Sequence, residues 1–280
     1  MRFAVNIPNF GPYADPAAVA GLAGEAEAAG WDGFFVWDHI AIAPGMPVGD
    51  PFVILAAIAM RTERVTIGTM VTPIPRRRPW VLARQCTSLD QLSGGRFVLG
   101  VGIGFPPGPE FELFGEPSDA PERAAMLDEG LDILELMWSG EQGSYAGNHY
   151  TIDDWTFAPR PVQRQQRIPI WVAGTWPNRG PFRRAARFDG VFPLGSTDGT
   201  PDLISDDELL RSLEFVERER GSLDGYAVAA LFIPTGDAAA DVERAAELAG
   251  VGVTWAHVGP PPQGESIDET RRWVNFGPPQ

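Results

Sequence analysis

The sequence predicts a (β/α)₈ TIM barrel in a single domain, because strand-like and helix-like segments alternate along the chain. Short runs rich in β-branched and aromatic residues are typical of strands. Eight such runs occur, at 3–8, 33–37, 65–71, 97–102, 168–173, 190–194, 226–233 and 252–258. Segments rich in Ala, Leu and Glu lie between them. Eight alternations in about 250 residues are the number expected for one barrel, so we assign residues 1–280 to one domain.

The helices can be placed in chain order from the residues at their ends. Asp-Pro pairs at 15–16 and 50–51 each put an N-cap residue before a proline in the first helical position. Ser205 and Glu208 have the spacing of a capping box. Further helical segments run from Pro79 to the glycines at 94–95, from Pro121 to Gly140, from Ser205 to Gly221 and from Asp237 to Gly250.

An insertion is expected between the fourth and fifth strands. The segment 144–150 precedes the fifth strand, so we assign it, with His149, to a small hairpin at the barrel face opposite the active site. A doubly wound parallel sheet is the alternative fold, but its first turn would carry a G-x-G-x-x-G motif. The first strand here ends in NIPNFGPYAD, which lacks that motif.

The amino-acid composition indicates which classes of ligand and which cellular location to expect. The net charge of −15 argues against nucleic acid and anionic membranes and favours a small-molecule substrate. The first residues lack the apolar core of a signal peptide, and no apolar run approaches the ~18 residues of a membrane span. Cys86 is the single cysteine, so an intrachain disulfide is excluded. We therefore expect a soluble cytoplasmic protein, a homodimer, and no metal site. All 22 basic residues are arginine, which excludes lysine Schiff-base chemistry.

The segment FFVWDHI at 34–40 predicts an active-site position. Four large apolar residues with strong strand character, at 34–37, lead directly into Asp38 and His39. Packing within a buried strand does not explain a charged residue and a histidine at these positions. Residues that follow barrel strands lie at the catalytic face, so this pair is expected on its rim. An imidazole titrates near neutral pH and is suited to proton transfer. A structural role, capping loop hydrogen bonds, is the alternative. His257, near the end of the eighth strand, is a further candidate for the rim.

Glycines at strand ends indicate where a ligand can approach the backbone. LGVGIGFPPG at 99–108 resembles a phosphate loop in letters, but the prolines prevent a helix from starting there, so Gly102 and Gly104 are better suited to contact with a flat ring. Gly174, Thr175, Gly195 and Ser196 offer amides and hydroxyls that suit a phosphate. Ordinary turn chemistry is the alternative for both pairs.

Several stretches resemble the bacterial-luciferase-like superfamily of flavin- and coenzyme-F420-dependent oxidoreductases. They are EAEAAGWDGFFVWDHI, TERVTIGTMVTPIPRRRPWVLARQCTSLDQLSGGRFVLGVGIG, ERAAMLDEGLDILELMWSG, PRPVQRQQRIPIWVAG and DGVFPLG. The resemblance extends from residue 3 to about residue 195. It implies a TIM barrel that holds FMN, for monooxygenation with O₂, or the deazaflavin F420, for hydride transfer, at its catalytic face.

The resemblance also assigns roles to individual residues. It implies that Asp38 and His39 contact the deazaflavin and transfer a proton, with Asp38 orienting the ring or the imidazole. It implies that Thr69, Met70 and Val71 form a strand bulge behind the ring with a cis peptide between Met70 and Val71. Gly102 and Gly104 would then lie beside the ring. The remaining residues implied at the cofactor, near its phosphate, are Gly174, Thr175, Gly195 and Ser196.

Two departures from the superfamily pattern concern the substrate pocket. Phe105 stands where several F420-dependent relatives carry a glutamate, so a second acid is expected to be absent. The long segment that larger relatives carry after the seventh strand is also missing. The expected function is hydride transfer or monooxygenation of a small organic substrate, with the choice between F420 and FMN open. The alternative is a non-catalytic barrel that carries the cofactor or serves as a partner subunit.

Overall fold

The computed structural model describes residues 1–163, 167–260 and 266–279 and confirms the predicted barrel. Eight parallel strands pair in sequence, and the pairing of the sixth with the seventh closes the ring. The barrel strands are β1 (Arg2–Ile7), β2 (Gly33–Val36), β3 (Thr66–Pro73), β4 (Phe97–Gly102), β7 (Ile170–Thr175), β8 (Gly190–Thr197), β10 (Ala227–Phe232) and β11 (Trp255–Val258). The strand runs predicted from sequence all lie on these eight strands.

The helices begin where the sequence predicts. Asp50 caps its helix by accepting from the amides of Phe52 and Val53, and Ser205 and Glu208 form the capping box. A final helix, which the prediction missed, has its own capping box at Ser266. The helices are α1 (Pro16–Ala28), α2 (Pro51–Arg61), α3 (Pro79–Leu92), α4 (Pro107–Glu110), α5 (Ala120–Ser139), α6 (Arg179–Ala186), α7 (Asp206–Arg220), α8 (Ala238–Val251) and α9 (Ile267–Phe276). Across the described ranges, no helix is both long and apolar enough to cross a membrane.

The predicted insertion lies between β4 and β7. It contains α4, α5 and an antiparallel hairpin of β5 (Gln142–Ala146) and β6 (Thr151–Thr156). The turn of this hairpin packs on α5, where Glu129 accepts hydrogen bonds from the His149 amide and ring. His149 therefore has a structural partner outside the barrel. A second hairpin, of β8 with β9 (Thr200–Asp202), was not predicted.

Apolar side chains fill two layers. The larger layer lies between the strands and the helices, and the smaller one fills the barrel interior. His257 points into the interior, where its ring lies 4.7 Å from that of Phe35 and 5.8 Å from that of Phe192, centroid to centroid. It is fully buried, so its side chain does not reach the rim.

Candidate active site

Asp38 and His39 lie directly after β2, at the carboxyl end of the barrel where the sequence places them. The Asp38 carboxylate is fully buried and accepts from Arg76 at 2.6 Å and from Arg77 at 2.7 Å. These arginines follow β3, so Asp38 holds the ends of two neighbouring strands together. No hydrogen bond joins the side chains of Asp38 and His39 within the part of the chain that is described.

The acid that contacts His39 is Glu110, which the sequence prediction missed. Its Oε1 lies 3.1 Å from His39 Nδ1, and the residue is almost fully buried at the end of α4. The same carboxylate accepts from the amides of Ile40 and Ala41 and pairs with Arg76. The expectation of a missing second acid is therefore wrong: position 105 lacks one, but Glu110 supplies it five residues later.

The backbone of His39 is fixed by Asn9, in the loop after β1. The Asn9 side chain donates to the His39 carbonyl at 2.8 Å and accepts from the His39 amide at 3.0 Å. The imidazole packs edge-on against Phe10 and Trp37. Its side chain is 19% exposed. Backbone and ring are thus both held by contacts within the chain, which orients the imidazole before any ligand binds.

The surroundings of His39 also set its charge. Burial and the Arg76 guanidinium lower the pKa of His39 to about 4, although the Asp38 carboxylate acts in the opposite direction. The imidazole is therefore neutral at pH 7. Nδ1 faces the Glu110 carboxylate, which only accepts hydrogen bonds, so Nδ1 carries the ring proton. Nε2 is then unprotonated, and its lone pair can accept a proton.

The bulge predicted in β3 is present between Thr69 and Thr72, and the Met70–Val71 peptide is cis, as predicted. The three predicted cofactor residues differ in what their side chains can reach. Thr69 is buried and donates its hydroxyl to the Gly100 carbonyl, and Met70 packs in the barrel interior. Val71 is half-buried, so its side chain is the most accessible of the three.

The structure brings Gly102 and Val71 together. A Cβ at Gly102 would lie 3.0 Å from Val71 Cγ2, so glycine leaves space beside this side chain. Gly104 has a different requirement. Its φ is +85°, and a Cβ there would lie 2.7 Å from the Phe111 ring. Glycine at 104 therefore allows the chain to turn and pack on Phe111.

The residues predicted to bind the cofactor phosphate lie at the ends of β7 and β8. Gly174 and Thr175 pair with Pro193 and Leu194, which brings the two strand ends side by side. A Cβ at Gly174 would lie 2.3 Å from Pro181 in α6, so this glycine permits close helix packing.

Gly195 and Ser196 lie in the unpredicted hairpin with β9. A Cβ at Gly195 would lie 2.4 Å from the Leu203 carbonyl oxygen, and Ser196 is exposed. Close packing accounts for the glycines, and the phosphate role of these positions stays a prediction.

Comparison with known proteins identifies related sequences. The family model described as luciferase-like monooxygenase matches residues 1–206. An F420-dependent glucose-6-phosphate dehydrogenase of Microbacterium testaceum is 34% identical over 194 residues, which are 68% of this chain and 55% of that protein. The chain spans 55% to 60% of the length of the first two curated relatives it matches.

Solved structures share the fold at lower identity. An F420-dependent secondary alcohol dehydrogenase, in complex with an F420–acetone adduct, superposes with a TM-score of 0.78 at 18% identity and covers 98% of both chains. A monooxygenase from Streptomyces bottropensis has a TM-score of 0.77 at 22% identity, over 99% of this chain and 97% of its own. At these identities the likeness concerns the barrel itself.

Proposed function

Because the chain belongs to the luciferase-like monooxygenase family, we propose that it is an oxidoreductase that uses coenzyme F420 or FMN on a small organic substrate. The observation that carries the proposal is the His39 imidazole, which is neutral, oriented by Glu110 and partly open at the catalytic face. With Nδ1 committed to Glu110, the His39 Nε2 is the ring nitrogen that is available to accept a substrate proton.

The residues at the strand ends fit a flat ring. Val71 is half-buried beside the space that a side chain at Gly102 would fill. Val71 lies on β3, which pairs with the strand that precedes His39, and Gly102 lies on β4, the next strand in the barrel. Val71 and Gly102 would hold the ring. When bound, a flavin or deazaflavin ring accepts a hydride from a substrate carbon or donates one to it.

The chain's own contribution is proton transfer. His39 Nε2 accepts the hydroxyl proton of an alcohol substrate during oxidation and returns it to the carbonyl oxygen in the reverse direction. Glu110 accepts from Nδ1–H and stabilises the imidazolium that forms. Arg76 balances the Glu110 charge, and Asp38 holds Arg76 in place.

We favour F420 and hydride transfer over FMN and oxygen. The Asp38-His39 pair matches the F420-dependent pattern, and the curated relatives that the chain matches include F420-dependent glucose-6-phosphate dehydrogenases. Monooxygenation with FMN is the second candidate, which the name of the matching family supports. A cytoplasmic location and a homodimer remain predictions; light scattering on the purified protein tests the second.

The test begins with separate titrations of the protein with F420 and with FMN. His39→Asn, which keeps hydrogen bonding but cannot exchange a proton at the same position, should leave the Kd of the bound coenzyme unchanged and lower kcat by about 10² to 10⁴. Asn9→Ala is the matched comparison, since it disturbs the same backbone without removing the base. Near-native turnover by His39→Asn would show that the base lies elsewhere, and binding of neither coenzyme would contradict the proposed function.

A further inference from the structure

The barrel wall opens between β8 and β10 in its carboxyl half. The pairing of these two strands ends at Val191 and Val228, although β8 continues to Thr197 and β10 continues to Phe232. The last residues of β8 pair with β9 instead. A gap therefore separates the carboxyl ends of two strands that are neighbours in the barrel.

Pro193 explains why the pairing stops. At the start of the ladder, the carbonyl of Asp189 accepts from the Ala227 amide at 2.9 Å. The main-chain groups of alternate residues face the same neighbouring strand, so Pro193, an even number of positions after Asp189, also faces β10. Proline has no N–H and cannot donate to β10 at this position. By the same alternation, Leu231 presents its own N–H and C=O to the gap.

A cavity of about 150 Å³ lies between these strand ends and the helices α7 and α8. Of its eleven lining residues, ten are Leu, Ile, Phe, Ala or Pro. Leu209 of α7 and Leu248 of α8 are buried, whereas Leu203 and Ile233 are 47% and 62% exposed, so the cavity opens to solvent beside the latter two. An apolar cavity of this volume accommodates a molecule the size of benzene.

The charged member of the lining is Arg244, on α8. Both of its terminal nitrogens donate to the Asp206 carboxylate at 2.6 Å, and Nη1 also donates to Glu247 at 3.0 Å. Two carboxylates therefore balance this guanidinium, and no other cation is present among the described residues that line the cavity. Binding an anion requires a cationic donor, so the cavity is suited to an uncharged ligand.

We propose that this cavity is a second binding site, which takes a small uncharged molecule that combines an apolar ring or chain with an amide or hydroxyl group. The apolar part packs on side chains such as Leu209 and Leu248, and the polar group bonds to the main chain of Leu231 at the strand edge. In the strand order, β8 and β10 lie across the barrel from β2, which leads to His39. The site is therefore separate from the candidate active site, and it does not depend on the proposed function.

Calorimetric titration with benzamide and with benzoate tests the proposal, because these two molecules differ in charge but hardly in shape. Benzamide should bind saturably, with one molecule per chain. Benzoate should bind at least about tenfold more weakly, since it would meet Arg244 already paired with two carboxylates. Absence of saturable benzamide binding, or equal affinity for benzoate, overturns the proposal.

Substitutions locate the bound molecule. Ala230→Leu fills the cavity from β10 and should abolish benzamide binding. Leu203→Asp changes an exposed lining residue, which the fold tolerates more readily, and should weaken benzamide binding by about fivefold or more. Val53→Asp is the matched control, because Val53 is similarly exposed, at 56%, but lies on α2; it should bind benzamide as the wild type does. If Leu203→Asp keeps the wild-type affinity, benzamide binds elsewhere and the proposal is wrong.

Discussion

Replacing His257 with leucine should remove part of the protein's sensitivity to acid. His257 is fully buried, and neither ring nitrogen has a hydrogen-bond partner among the described residues. Burial lowers its pKa to about 3 from an ordinary value of 6.5. Between these values the unfolded chain binds a proton that the folded chain does not, so the free energy of unfolding falls as the pH drops below 6.5.

The magnitude follows from the two pKa values. From pH 7 to pH 5 this one group lowers the free energy of unfolding by about 2 kcal/mol, and the result hardly depends on how far below 5 the folded pKa lies. His39, with a folded pKa of about 4, adds a similar loss over the same interval. The wild-type protein should therefore lose about 4 kcal/mol from its two buried histidines, and His257→Leu about half of that.

Urea unfolding, followed by tryptophan fluorescence at pH 7 and pH 5, measures both losses. The control is Leu231→Ala, because Leu231 lies directly beside His257 on the neighbouring strand and does not titrate. This variant should be less stable by the same amount at both pH values. If His257→Leu loses as much free energy of unfolding between pH 7 and pH 5 as the wild type, the imidazole is not buried in its neutral form and the reasoning is refuted.

Three further predictions concern the site and its surroundings. Glu110→Gln keeps the side-chain shape but removes the charge that stabilises the imidazolium, so kcat, measured as a pH–rate profile, should fall by about tenfold or more. An unchanged kcat would show that Glu110 does not have this role. Gly104→Ala should lower the free energy of unfolding by about 1–3 kcal/mol, because its φ is +85° and the new Cβ meets Phe111; equal stability in urea would contradict this. Cys86 is fully buried and its thiol pKa is raised by that burial, so a thiol reagent should label it only after unfolding.

Most of the barrel could be predicted because its signals are local. Each strand is a short run of β-branched and aromatic residues, and the helices carry caps such as Asp50 and Ser205 that act within three residues. The second hairpin at β9 was missed because three residues containing a proline carry no strand signal. The last helix has a clear capping box at Ser266, which would have revealed it.

The candidate site was predictable only in part. Asp38 and His39 stood out because charged residues directly follow a buried strand. Glu110 follows a run of prolines and glycines, and nothing in that local pattern shows that it meets a residue 71 positions away. The pairing of Asp38 with Arg76 and Arg77, and the pKa of His39, likewise depend on burial and on distances between separate loops. Candidate site residues could therefore be recognised in the sequence, but the contacts between them depend on the fold.

The position of Glu110 has a consequence for how this protein can diverge or be redesigned. One segment of 17 residues, 103–119, carries both the carboxylate that orients the base and the exposed aromatic and aliphatic side chains around it. Exchanging this segment for that of a relative would change the exposed side chains and the carboxylate contact of His39 in a single step. Point substitutions at 105, 113 and 114 instead change the exposed side chains alone, because they leave the carboxylate and its four donors untouched.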